Sequence, residues 1–181
     1  LKQFGLERVT LWVGESLDEP AGRGGGDKLG MDEAVVVRRD LDMVERILVI
    51  RQVPAFRRGS LDAVAQYSKL LDQIYIPKGE VLWREGEDCF HYLHMVHGTA
   101  RCTREGEPST LLYSAPGMPG FFGALARTTR WNTAVAETDL VALRADREIL
   151  PDVLEDNFEM ARNFLSAAAR RLIQFLELRD R

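Results

Sequence analysis

Between Ile76 and Gly123 the chain is cut at short intervals by residues that favour tight turns. Pro77-Lys78-Gly79-Glu80, Glu85-Gly86-Glu87-Asp88, Gly98 and Glu105-Gly106-Glu107-Pro108 each mark one, because proline presets a dihedral and glycine supplies the positive φ that other residues resist. The pieces between them are strand-sized and apolar: Gln73 to Ile76, Val81-Leu82-Trp83, Cys89 to Val96, Thr99 to Thr103, and Leu111-Leu112-Tyr113. Pro116-Gly117-Met118-Pro119-Gly120 leads into a short helical turn over 121–127, and two last strands fall near 132–137 and 140–144. No long helix fits inside such punctuation. Strands at this spacing predict a mainly β fold, a double-stranded roll of the jelly-roll kind with an anion-binding turn near its end.

Helices flank the roll on both sides. Leu41, Val44, Ile47, Leu48 and Ile50 give a stripe near the 3.6 period, so 41–52 reads as a helix. Asp42 and Glu45 sit at its start and Pro54 stops it. Ser60 caps a second helix, Leu61 to Leu71, with Leu61, Val64, Ala65, Leu70 and Leu71 on one side. After Asp146 a short helix holds Ile149, Val153 and Leu154. Phe158 to Arg179 is then one long helix, with Met160, Phe164, Leu165, Ala168, Leu172, Phe175 and Leu176 read as one apolar face. Its length, roughly 33 Å, exceeds what covering a small roll requires. It either lies back on its own roll or pairs with a second copy, making a homodimer through helix 158–179. Three segments follow: 1–40, with a strand-like Arg8 to Val13 and a Gly-rich linker around Gly22 to Gly30; 41–148, the roll with its leading helices; and 149–181, the C-terminal helices.

Composition excludes several functions. A net charge of −4 argues against a nucleic-acid-coating surface, so no direct nucleic-acid contact is expected from these residues. No apolar stretch approaches a membrane span. Cys89 and Cys102 form no metal-type or redox-type pair, and few cysteines without a signal peptide point to the cytoplasm. The chain begins at Leu1 rather than Met, as a piece of a longer protein would. His91, His94 and His97 would face one way on a helix, but on a strand His94 points opposite to the other two, so no metal site is expected. Trp83 and Tyr92 read as core or rim aromatics, and Lys78, Glu80, Glu85 and Glu87 as solvated turn residues. Nucleophile–base and phosphate-loop motifs are absent, which gives no warrant for an enzyme.

Taken in order, Pro77-Lys78-Gly79-Glu80 with Glu85-Gly86-Glu87, Tyr92 to Gly98, and Arg130 followed by Thr133 to Asp139 resemble the cyclic-nucleotide-binding domain family, the β-roll of catabolite activator proteins, over about residues 43–178. The resemblance implies a regulatory module with no tightly held cofactor and with cyclic AMP or cyclic GMP, or another small anion, as its ligand. It places that site at Gly123, Ala124, Leu125, Arg130 and Trp131, with Arg130 on the phosphate. In the family a glutamate accepts from the ribose hydroxyl. Here Phe121 or Ala124 takes that place, depending on alignment, and Trp131 stands where a small residue follows the arginine. A missing acceptor costs about 1–3 kcal/mol. The cassette is therefore degenerate, and weak or lost nucleotide binding is expected, with the module acting through its C-terminal helix or a partner. The alternative is a working sensor, the effector half of a transcription regulator. Arg130 itself either faces an anion or pairs with an acidic side chain on the roll surface. Trp131 either fills the pocket or walls it.

Overall fold

The computed structural model describes residues 39–179; the expected strand at Arg8 to Val13 and the Gly-rich linker lie outside them. Helix α1 spans Met43–Gln52 and α2 Leu61–Lys69. Asp42 caps α1 in a reciprocal box with Glu45, which satisfies two orphan N–H groups. Ser60 caps α2 by accepting from the Ala63 N–H.

Seven strands follow: β1 Asp72–Ile76, β2 Val81–Trp83, β3 His91–His97, β4 Thr99–Thr103, β5 Thr110–Ser114, β6 Thr133–Ala136 and β7 Leu140–Asp146. They form two antiparallel sheets, ordered β1-β7-β3 and β2-β6-β4-β5. The turn at Gly98 links β3 of one sheet to β4 of the other. Its φ is +89°, and a Cβ there would collide with the Asp139 carbonyl, so no other residue fits the corner. Between β5 and β6 lies the short helix α3, Phe121–Leu125. Helices α4, Ile149–Glu155, and α5, Phe158–Arg179, complete the chain.

Strands β3 and β7 are buried on both faces over most of their length, because the opposite sheet covers one face and the helices the other. Leu93 and Met95 of β3, with Leu140 and Ala142 of β7, face the opposite sheet and meet Trp83, Ala100, Cys102, Ala134 and Ala136. Tyr92, Leu143 and Ala145 point the other way, into a larger core with Ile50, Phe56, Val64, Tyr67, Leu150, Met160 and Phe164 from the helices.

Four expectations change. The β3 strand begins at His91 rather than Cys89. Val44 and Leu48 of α1 are exposed; only one side of this short helix meets the core, through Ile50 and Ile47. In α2, Leu61 and Leu70 are exposed and Tyr67 takes the buried position instead. The α5 face divides: Met160 and Phe164 are buried on the roll, whereas Leu165, Ala168 and Leu172 are exposed. The side chains of Phe175 and Leu176 lie outside the described residues.

Candidate functional site

Arg130 sits just ahead of β6 on a segment clamped by the 85–88 turn. Its N–H donates to the Glu87 carbonyl at 2.7 Å, and its own carbonyl accepts from the Gly86 N–H at 2.8 Å. With the backbone fixed on both sides, the side chain runs inward and is only 3% exposed. Nη2 donates to the His91 carbonyl at 2.7 Å. The guanidinium lies 4.0 Å over the centre of the Trp83 ring, a cation–π contact that gains strength out of water. Trp83 is held there by its own Nε1–H, which donates to Asn132 Oδ1 at 3.1 Å. Gly120, left-handed at φ +83°, allows the approach; a Cβ on it would collide with Arg130 Nη1.

Two donors of this buried guanidinium, Nε and Nη1, have no well-formed hydrogen bond, the Cys89 thiol being the nearest side chain that acts on the group. Arg130 forms no ion pair among the described residues, so the expected pairing with an acidic side chain on the roll surface is overturned: the clamped backbone sends the side chain under Gly120 instead of outward. Burial lowers its pKa. Burial, then the Arg130 charge, pushes His91 down to about 4, which keeps that imidazole neutral at pH 7. Burial likewise pushes the Cys89 thiol up, against a smaller pull from Arg130.

Of the expected site residues, Gly123, Arg130 and Trp131 line one small pocket together with Trp83, Cys89, Cys102 and Asn132. Trp131 stands at its mouth, 49% exposed, as a wall rather than a plug. Ala124 and Leu125 do not line it: Ala124 is buried in the helical core and Leu125 is exposed. Sequence reasoning missed Cys89, Gly120 and Asn132. Nothing in the chain order links Cys89 to a loop more than thirty residues away, although its Sγ hydrogen-bonds the Gly120 carbonyl at 3.4 Å and packs under Gly123.

A cyclic nucleotide needs an anion partner, a ribose acceptor and room. Arg130 supplies the first. The second is missing, since Ala124 has no acceptor and Phe121 turns into the core, 5.3 Å from the ring of Tyr92. The pocket in this conformation has space for about one water molecule, whereas small-molecule sites typically run to about 300 Å³ or more. The residues present do not fit the whole nucleotide. Among the described residues no cluster of side chains could hold a metal ion, and no helix is long and apolar enough to cross a membrane.

The site thus stands in a two-sheet β-roll, with an inward arginine ahead of its sixth strand and a helical tail. Residues 73–157 match the model of the cyclic nucleotide-binding domain and belong to that family. Similar solved structures include the N-terminal domain of a transcriptional regulator from Streptomyces coelicolor A3(2), at 22% identity over 70% of this chain and 94% of that one, with a TM-score of 0.61. The sensor domain of the transcriptional regulator DNR from Pseudomonas aeruginosa aligns at 18% identity, over 75% and 95%, with a TM-score of 0.64. The Thermus thermophilus Catabolite Activator Protein aligns at 24%, over 69% and 61%, with a TM-score of 0.60. At these identities the likeness is one of fold. No curated protein matches the chain.

Proposed function

We propose that this is a non-enzymatic, cytosolic regulatory module in which the nucleotide site of the family has contracted, and that it acts through α5. The observation that carries this reading is the Arg130 side chain folded under Gly120 and onto Trp83, which leaves a pocket of about one water. The absence of a carboxylate at Phe121 and Ala124 supports it. The output element is α5, which rests on the roll through Met160 and Phe164 while its other side stays apolar and open.

Titration calorimetry with cyclic AMP and cyclic GMP tests the proposal. We expect no binding of either at micromolar concentration. The alternative, a working sensor of a small anionic ligand, is favoured by the two donors of Arg130 that lack a well-formed hydrogen bond. Micromolar affinity for a cyclic nucleotide that disappears in Arg130→Ala would establish that alternative and overturn the contraction.

A further inference from the structure

We propose that the buried Tyr92–Tyr67–His94 chain is an acid-sensitive pin, and that protonating His94 lifts α1, α2, α4 and α5 off the β1-β7-β3 sheet while the two sheets stay packed on each other. The release does not depend on what the pocket binds; only its use as a signal rests on α5 being the output element.

The pin has one direction. The Tyr67 hydroxyl lies 2.7 Å from the Tyr92 hydroxyl and 2.6 Å from His94 Nε2, and has a single proton for two neighbours. When Tyr92 donates to Tyr67 and Tyr67 donates to Nε2, both hydroxyl protons are used and only the Nδ1–H is left over. The opposite direction strands two groups, the Tyr92 proton and the Nδ1 lone pair. The neutral chain therefore runs from Tyr92 through Tyr67 to His94, with the imidazole proton on Nδ1.

A second proton on the ring reverses it. Nε2–H must then donate to Tyr67 and Tyr67 to Tyr92, so the Tyr92 proton loses its acceptor, and the ring carries a charge at 1% exposure. Nothing packed around it cancels that charge. Phe56 meets the ring from the α1–α2 connection, Tyr67 from α2 and Tyr92 from its own strand. Its register partner on β7 is Leu143, and α5 closes the group with Phe164 against Phe56. The titratable groups among these are the two tyrosines, which burial keeps protonated. Glu45, the buried carboxylate among the described residues, is taken by Arg39 and the α1 cap.

The layering decides what gives way. Tyr92 and His94 share the helix side of β3, whereas Leu93 and Met95 face the other sheet. The helices precede β1 or follow β7 except for α3, so the four named can leave without breaking a strand pair.

The test is hydrogen exchange of the full chain at pH 7 and pH 5, read by mass spectrometry on peptides and corrected for the intrinsic rate. An opening that exposes His94 lets the ring take up a proton, so its population should rise about 25-fold over that interval. We expect that loss of protection in α2 and in the Met160–Phe164 stretch of α5, with β4 and β6 changing less than about threefold. His94→Gln, which can accept from Tyr67 without titrating, should remove the pH effect. If that variant does not fold, nitrogen NMR of the unaltered protein labelled at histidine replaces it, with His94 expected to carry its proton on Nδ1 at pH 7. Equal protection at both pH values, a loss shared by β4 and β6, an effect that survives His94→Gln, or a ring protonated on Nε2 at pH 7 would each overturn the proposal. None of these outcomes bears on the contraction of the pocket, which the calorimetry decides.

Discussion

Among the described residues two basic side chains, Arg130 and His94, are buried, and they meet the cost of burial in opposite ways. Arg130 cannot lose its proton and lies instead against the Trp83 ring and the His91 carbonyl. His94 can, and does. It is 1% exposed among Phe56, Tyr67 and Tyr92, with Nε2 hydrogen-bonded to the Tyr67 hydroxyl at 2.6 Å, and burial pushes its pKa down to about 3. The folded protein therefore keeps this imidazole neutral at a pH where the unfolded chain, titrating near 6.5, takes up a proton. The stability this contributes is complete above about pH 6.5 and is lost as the pH falls toward the folded value. His91, also depressed, adds in the same direction. We expect denaturant unfolding to show a loss of about 2 kcal/mol from His94 between pH 7 and pH 5. His94→Gln should have a distinctly flatter profile; identical slopes for the two proteins would contradict the assignment.

Among the elements, α5 shows how a helix divides its apolar residues between two tasks. Phe164 is 9% exposed, set edge-on to Phe56 at 4.7 Å and tilted against Phe121 at 5.9 Å, so it ties the tail to the α1–α2 connection and to α3. Leu165, its neighbour, is 73% exposed. Phe164→Ala should cost about 3 kcal/mol in chemical denaturation, and Leu165→Ala less than about 0.5 kcal/mol. Comparable losses from both would mean that the helix is seated differently. The same contrast explains what the sequence could reveal. Element types and their order were legible, because turn residues and the 3.6 period are local signals: Gly79, Gly86 and Gly98 do mark turns, and Ser60 does cap α2. Which apolar residue of a short helix faces inward was not local. Leu61 and Leu70 matched the period as well as Val64, but it is Ala63, Val64 and Tyr67 of α2 that meet the sheet-side core. The site was half legible for the same reason. Arg130 and Gly123 stand in a recognisable cassette, whereas Cys89, Gly120 and Asn132 join it only through the closure of the roll.

At the scale of the molecule, the open side of α5 is the feature the single chain leaves unused. Phe158, Leu165 and Leu172 recur at seven-residue intervals and are all exposed, with Ile173 beside them. Repetition every seven residues keeps apolar groups on one seam when two helices wind together, whereas the Met160–Phe164 pair points to the roll. A domain on its own gains nothing from such a seam, and a partner helix of the same sequence would cover it from both sides. The helix also touches α3, the element beside Arg130, through Phe164 and Phe121. We expect sedimentation velocity to show a concentration-dependent monomer–dimer equilibrium for the full chain. Leu165→Glu combined with Leu172→Glu should shift the protein to monomer by bringing like charges onto the seam, with thermal unfolding of the monomer unchanged because neither residue belongs to the core. A chain that remains monomeric at the highest attainable concentration, or a dimer indifferent to both substitutions, would place the self-association surface elsewhere or remove it.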